Sequence, residues 1–453
     1  MSSITTTRSQ ATYQTRSNRQ NSTAGRVCVL GAGSSGLAVA KNLKQAGIAI
    51  DVLEKQGELG GNWCYGQPAS SVYKSTHLIS SKQLTEYTDF PMPDNYPEFP
   101  HHRLVWKYLR SYAEHFDLEE HIEFGVGVQR ATRLDEGGWW VELDSGETRH
   151  YARLVVANGH NWDPRWPEFS GEFAGVQLHS SEYKTPDVLA GKRVLVVGGG
   201  NSGCDIAVEA AQNAASASIS LRRGYHLLPK FFHGTPIDIC GERMLRWRFP
   251  LPLRRTLAAA ASFLVLGSPR WLGLPKPDHR LFETHPVINS QLIYHVGHGD
   301  IQVRPNIAEL CGERVRFADG TEEPFDVIIY ATGFKVTLPF LPSGELRWSD
   351  GRPELFLNVF PPDCDDLFFA GLIQPDSGQF GLVDEQAKLI AAYLTGIEAG
   401  KPAADWFRQE KRRRAGEPLT SIRYLATPRH ALEVEHFSYR RRLQKLTRRL
   451  NRG

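Results

Sequence analysis

A strand, glycine turn and helix pattern occurs twice in this chain, and the two copies end on opposite charges. The first reads RVCVLGAGSSGLAVAKNLKQAGIAIDVLEKQ and the second RVLVVGGGNSGCDIAVEAAQNAASASISLRRG, so Gly31, Gly33 and Gly36 recur as Gly198, Gly200 and Gly203. In both copies apolar β-formers precede the glycines and a helical run follows them. That order predicts a dinucleotide-binding unit: the first glycine permits a tight turn, the second lets backbone approach a pyrophosphate, and the third lets helix and strand pack closely, with the helix N-terminus facing the phosphates. A lone triplet of this kind is common in turns before helices; two in the same context are a far more specific signal. After its second predicted strand the first copy places Glu54, whose carboxylate accepts ribose hydroxyls and repels a 2′-phosphate, whereas the second copy places Arg222 and Arg223 there. Two different dinucleotides are predicted, the second being NADPH.

With 453 residues, 41% of them apolar and 23% charged, the chain can bury two substantial cores and predicts two to three domains. The six cysteines, Cys28, Cys64, Cys204, Cys240, Cys311 and Cys364, form no C-x-x-C pair. No zinc site and no dithiol are therefore expected, and reduced thiols predict a cytoplasmic protein. A pyridine-nucleotide disulfide reductase is excluded, because its electrons leave through a paired thiol beside the flavin. No metal and no nucleic-acid partner are expected.

Further motifs lie between and after the two glycine turns. EKQGELGGNWCYG, residues 54 to 66, sets Gly60, Gly61 and Trp63 after the acidic residue, so that the main chain can pass close to a flat ligand and an indole can cover an aromatic face. FAGVQLHSSEYK sets Phe173, Gly175, His179 and Tyr183 in the spacing F-x-G-x-x-x-H-x-x-x-Y just before the second turn. DVIIYATGF, Asp326 to Phe334, reads as a buried strand followed by small residues that let two segments come close. In this order the motifs, with HPVINSQLIYHVGHGDI at 285 to 301, resemble those of class B flavoprotein monooxygenases of the flavin-containing monooxygenase type, from about residue 25 to about residue 400.

The resemblance implies an α/β fold with two Rossmann-like dinucleotide-binding domains, for FAD and NADPH, the NADPH domain being inserted into the FAD domain. The expected boundaries are a disordered leader at 1–25, FAD-domain pieces at 26–165 and 325–435, the NADPH domain at 166–324 with an insertion at about 231–284, and a basic C-terminal helix at 436–453. For FAD it implies Gly31, Gly33, Ser35, Gly36, Glu54, Gly61, Asn62, Trp63, Val128 and Gln374. For NADPH it implies Gly198, Gly200, Asn201, Ser202, Gly203, Asp205, Arg222 and Arg223, with Ala331, Thr332 and Gly333 as the linker.

The implied reaction consumes NADPH and dioxygen: reduced flavin traps oxygen as a 4a-hydroperoxide, one atom goes to a substrate and the other leaves as water, while the protein excludes water and holds NADP against the flavin. Tyr183 stands where Baeyer-Villiger relatives carry Trp, which favours oxygenation of nitrogen or sulfur in a small, fairly apolar substrate. In YKSTHLISSKQL, residues 73 to 84, Ile79 replaces an Asn that many members of the family place by the oxygenated flavin carbon, leaving His77 as the polar group able to stand in. Ile79, His77 and Tyr183 are thus the candidate catalytic-site residues. Alternatives are a Baeyer-Villiger oxygenase acting on a ketone, an NADPH oxidase releasing hydrogen peroxide, and a non-catalytic redox sensor; the last is disfavoured because every phosphate-facing glycine is present.

The leader at 1–25 lacks acidic residues and has few apolar ones, so disorder is expected, with an organelle transit peptide as the alternative. The last stretch, HFSYRRRLQKLTRRLNRG, has seven basic residues, no acid, and Leu443, Leu446 and Leu450 on one helical face. A solvated helix packed through those leucines is favoured, with peripheral contact to an anionic membrane as the alternative. Within the insertion, TLAAAASFLVLG at 256 to 267 is too short to cross a bilayer and is expected as a buried helix, or else as a cap on a substrate channel. A homodimer is left open.

Overall fold

The computed structural model describes residues 23–420, 422–425, 427 and 430–452. Residues 1–22 of the expected leader lie outside the described residues. Two five-stranded parallel sheets organise the chain. In the first, the order across the sheet is Leu367–Phe369, Arg153–Val156, Val27–Leu30, Ile50–Glu54 and Ile122–Phe124. In the second it is Val176–His179, Val327–Tyr330, Arg193–Val197, Ser216–Ser220 and Ile301–Arg304. Each glycine-turn strand is central to its sheet and pairs in parallel with the strand that follows its helix, Val27 opposite Ile50 and Arg193 opposite Ser216. Such strands are covered on both faces, which is why they read as unbroken apolar runs rather than as alternating ones.

The first glycine helix, Ser34–Gln45, packs on the long helix Phe380–Glu398, which is buried along nearly its whole length. Lys41 Nζ reaches Asp384 Oδ1 at 2.8 Å inside that contact, and the Asn42 side-chain amide donates to the same oxygen at 2.8 Å. Burial pushes the Asp384 carboxyl up, but Lys41 and Lys388 outweigh burial and hold it down at about 2. The second glycine helix, Asn201–Asn213, packs against Gln291–His298. A three-stranded antiparallel meander, Val128–Arg133, Trp139–Leu143 and Thr148–Tyr151, completes the first unit.

The strand Val327–Tyr330, expected to open the returning piece of the first unit, lies instead inside the second sheet, paired on both sides. The return therefore comes after Tyr330. Phe334–Lys335 pairs antiparallel with Asp163–Pro164, so the two crossings between units run side by side. The local apolar pattern of Val327–Tyr330 suits either sheet; only pairing decides which one takes it.

Two helices differ from or sharpen expectation. The insertion helix Leu251–Leu266 buries only Arg254 and Ala258, leaving Leu257 42% and Leu264 75% exposed, so it is not a core helix. The last helix, His436–Arg452, docks on Phe380–Glu398 through Tyr439, Leu443 and Leu450, with Leu446 partly buried beside them. No helix among the described residues is long and apolar enough to cross a membrane.

Candidate functional site: two dinucleotide cradles and the segment between them

Gly31 has φ +102° and Gly198 φ +114°, the left-handed region where a side chain is strained. A Cβ on Gly36 would lie 1.8 Å from Gly31 O, and one on Gly203 would lie 2.0 Å from Gly198 O, so the third glycine of each triplet is required by contact within the turn. Gly33 differs from both: its backbone is extended, and its closest neighbour is Gly61 across the loop. Both glycine helices begin on a glycine N-cap without any side-chain cap, and neither carries an acidic residue in its first turn. The first-turn N–H groups are thus left for an anion, the fit that a pyrophosphate demands.

Glu54 ends the second strand of the first sheet and is buried. Its Oε2 accepts the Ala32 N–H at 2.7 Å and its Oε1 accepts the Gln56 N–H at 2.8 Å. Burial raises its carboxyl, with these backbone donors opposing the rise. The carboxylate therefore shapes the glycine loop. Gly60 and Gly61 both have positive φ, and Trp106 packs on Gly60 while donating to Leu59 O at 3.2 Å. Trp63 meets Phe380 edge-on at 6.3 Å. The Asn62 side-chain Oδ1 accepts from both the Ser71 N–H and the Ser71 hydroxyl, so this side chain braces its own loop. Ser35 Oγ lies against Gly371, where a Cβ would come within 2.0 Å of it. Val128 is half-buried in the meander, and the Gln374 N–H donates to Leu432 O at 2.8 Å.

Three residues on this side escaped the sequence reading. Gln386 accepts the Gly371 N–H at 2.9 Å and donates to Tyr439 Oη at 2.8 Å, while Gln379 donates to Gly371 O at 3.1 Å. His160, just past the strand Arg153–Val156, meets the Gly371 backbone, and burial pushes its imidazole down to about 4. A position just past the carboxyl end of a parallel strand was the available signal for His160.

In the second unit a Cβ on Gly198 would lie 2.6 Å from the Ala331 backbone carbonyl, so the linker backbone requires glycine at 198. Thr332 Oγ1 donates to Arg165 O, and Gly333 O accepts the Arg165 N–H at 2.9 Å and lies 3.1 Å from His179 Nε2. The linker thus knots the two crossings together. Asn201 Oδ1 accepts the Ile288 N–H at 3.0 Å, and exposed Ser202 faces out from the same first turn. Asp205 accepts Asn289 Nδ2 at 2.6 Å and Tyr73 Oη at 3.4 Å, and burial raises its carboxyl to about 6, against Lys230, which lowers it. Arg222 is exposed at the end of Ser216–Ser220, and Arg223 lies 3.8 Å from Asp278.

The three candidate catalytic residues do not converge. Tyr183 is fully buried in the core of the second unit, its Oη donating to Glu209 at 2.7 Å and its ring against Tyr73 at 5.6 Å. It braces the second glycine helix and touches no cleft surface; the motif around it is a packing signature. His77 is exposed, its Nδ1 2.6 Å from Ser75 O and its ring against His101 at 4.9 Å, and burial of that ring edge lowers its basicity. Ile79 alone of the three is half-buried on the strap between the units. That strap is held to the second unit by Tyr73, which joins its core, and by Lys184, whose Nζ donates to Ser70 O at 2.5 Å and whose carbonyl accepts the Lys74 N–H at 2.8 Å.

The family profile described as flavin-binding monooxygenase-like matches residues 24–443. Flavin-containing monooxygenase 5 of Oryctolagus cuniculus is 30% identical over 437 residues, covering 91% of this chain and 80% of its own length. Dimethylaniline monooxygenase [N-oxide-forming] 2 of the same organism is 33% identical over 398 residues, covering 82% and 74%. Among solved structures, S-allyl-L-cysteine S-oxygenase from Allium sativum superposes with a TM-score of 0.65 at 23% identity over 93% of this chain and 88% of its own. Cyclohexanone monooxygenase in its open form gives 0.67 at 20% identity over 94% and 98%. The two cradles, the opposite charges that end them and the small-residue linker between them therefore belong to one design: the chain is a member of the flavin-containing monooxygenase family, an oxidoreductase that uses FAD and NADPH.

Proposed function

We propose that the chain oxygenates a nitrogen or sulfur atom of a small, fairly apolar substrate. The observation that carries this reading is the strap itself: at the junction of the units it offers the apolar, half-buried Ile79, while His77 is engaged by Ser75 O and turned toward His101. An amine or sulfide brings its own nucleophilic lone pair, so the protein needs no base or nucleophile beside it. FAD, when bound and reduced, supplies the oxygen chemistry. The chain's own residues do the rest. The uncapped turns at Gly33 and Gly200 seat the two pyrophosphates, Glu54 faces one ribose, Arg222 and Arg223 face the 2′-phosphate of the other, and Tyr73, Lys184 and Ile79 close the junction against water. The balanced reaction takes one amine or sulfide, one NADPH, one proton and one dioxygen to one oxide, one NADP and one water.

Turnover of an amine and sulfide panel under labelled dioxygen tests the reading. One labelled oxygen per product and one NADPH per product are expected. Labelled esters from ketones would favour the Baeyer-Villiger alternative, and hydrogen peroxide as the sole fate of NADPH across the panel would favour an oxidase.

Location and association belong to the same reading. All six cysteines are free thiols, which supports cytoplasmic residence. Arg441, Lys445 and Arg448 point outward beside a groove of about 1140 Å³ floored by Trp406, Phe437 and Leu446, which supports peripheral contact with an anionic membrane. Sedimentation with anionic and with neutral vesicles distinguishes these, and the same runs at rising protein concentration report a homodimer.

A further inference from the structure

The helix Ile237–Arg246 belongs to the insertion of the second unit, yet two of its carboxylates, Asp238 and Glu242, sit one turn apart against the first unit. Asp238 Oδ2 accepts three hydrogen bonds there, from Ser81 N–H at 2.7 Å, Ser81 Oγ at 2.9 Å and Ser377 Oγ at 3.1 Å. Its other oxygen accepts the Ile239 N–H at 2.9 Å. Glu242 Oε2 lies 3.4 Å from His436 Nδ1 at the start of the last helix. Ser81 is fully buried and follows Ile79 by two residues, while Ser377 follows Gln374 by three. The two first-unit segments already touch: a Cβ on Gly378 would lie 2.1 Å from Leu84 O. A carboxylate bound to both serines therefore fixes three things at once, the Ile79 strap, the Gln374 segment and the inserted unit.

We propose that Asp238 is a positioning residue for the oxygenation, a dock that seats the NADPH-binding unit against the two segments bordering the flavin site. A carboxylate is acceptor-only, and convergent donors bind an ionised acceptor more strongly than a neutral one. Asn at this position keeps the shape and one accepting oxygen without the charge. Ala removes the dock. The proposal rests on the reading that the reaction occurs where the two units meet.

The test uses the full-length holoprotein as wild type, Asp238→Ala, Asp238→Asn and Ser377→Ala. Loss of the dock should raise the NADPH KM about tenfold, the weight of a hydrogen bond to a charged group. The kcat of NADPH oxidation should change little, and the share of NADPH ending as hydrogen peroxide should rise. Asp238→Asn should fall between wild type and Ala, and Ser377→Ala should shift the same way by less. FAD content should stay near one per chain. Amide hydrogen exchange of segments 76–86 and 374–380 supplies a readout independent of turnover, and both should exchange faster in Asp238→Ala. Unchanged KM and peroxide share in Asp238→Ala, or unchanged protection of both segments, overturns the dock. Should Asp238→Ala fail to fold, Ser377→Ala decides alone, and wild-type KM and protection in that variant overturn it. A wild type that oxidises no NADPH refutes the functional reading, and the exchange data then decide the dock by themselves.

Discussion

Glu54 Oε2 accepts a 2.7 Å hydrogen bond from the backbone N–H of Ala32, so the acidic residue proposed to face a ribose also holds the glycine turn in shape. Glu54→Ala leaves the Ala32 and Gln56 N–H groups without that acceptor, at a cost of about 1–3 kcal/mol for each donor left buried and unpaired. FAD affinity and the thermal midpoint of the FAD-free protein should fall together, with Glu54→Gln intermediate because one accepting oxygen remains. Titration of FAD by flavin fluorescence and a melting curve check this. A fall in FAD affinity with an unmoved melting curve would assign Glu54 to the ligand alone.

Arg222 and Arg223 should select NADPH over NADH. Guanidinium pairing to a phosphate contributes roughly 1.5–3 kcal/mol, a preference of about ten- to a hundredfold. Replacing both by Ala should remove most of it, measured as the ratio of kcat/KM for the two nucleotides. Arg222 is exposed and the Arg223–Asp278 ion pair is long, at 3.8 Å, so neither substitution should cost the fold. An unmoved ratio would point to another cation, such as Lys230, which lies over the Phe99 ring at 5.2 Å.

Gly33 and Gly200 carry matched predictions with different outcomes. Both sit at extended N-caps, so a side chain is permitted by backbone geometry and excluded by what must lie in front of it. Gly33→Val should yield colourless protein. Gly200→Val should yield yellow, folded protein that NADPH fails to reduce, because only the first cradle is expected to hold its cofactor through purification. Absorbance of the purified variants and anaerobic reduction by NADPH check this, and two colourless or two yellow, NADPH-reducible proteins would refute the assignment.

Asp205 predicts a pH dependence with a definite sign. Burial raises its carboxyl from 3.8 to about 6, so the folded state holds the proton more tightly than the unfolded chain. Asp205 therefore favours folding at low pH and loses that contribution as pH rises from about 4 through about 6, by up to about 3 kcal/mol. Asp205→Asn stays neutral throughout. Relative to wild type its stability should rise between pH 4 and pH 8, read from denaturant midpoints at each pH. A difference that stays flat with pH would mean that Lys230 and Asn289 hold the carboxylate ionised throughout that range.

Much of the site was legible because its geometry is local. A glycine triplet places its turn, its helix N-terminus and its strand within a dozen residues, so Gly31, Gly36, Gly198 and Gly203 do in the structure what their spacing implies, and Glu54 and Arg222 stand at the ends of equivalent strands. Tyr183 was misread for the same reason in reverse. Its motif is local, but whether a tyrosine faces a cleft or a core depends on what packs over it, and here that is Tyr73 from more than a hundred residues earlier and Glu209 from the next helix.

What the amino-acid sequence determines by itself is the pair of nucleotide-binding units, the family, and the opposite charges placed at the ends of the two units, since all of these rest on short-range backbone geometry and on side-chain chemistry. Tertiary structure alone decided that Val327–Tyr330 joins the second sheet, that the apolar helix Leu251–Leu266 lies largely in solvent, and that Asp238 meets Ser81 and Ser377. Those three outcomes depend on contacts between residues far apart in the chain, and an apolar run or a single aspartate carries the same local signal whichever distant partner it finds.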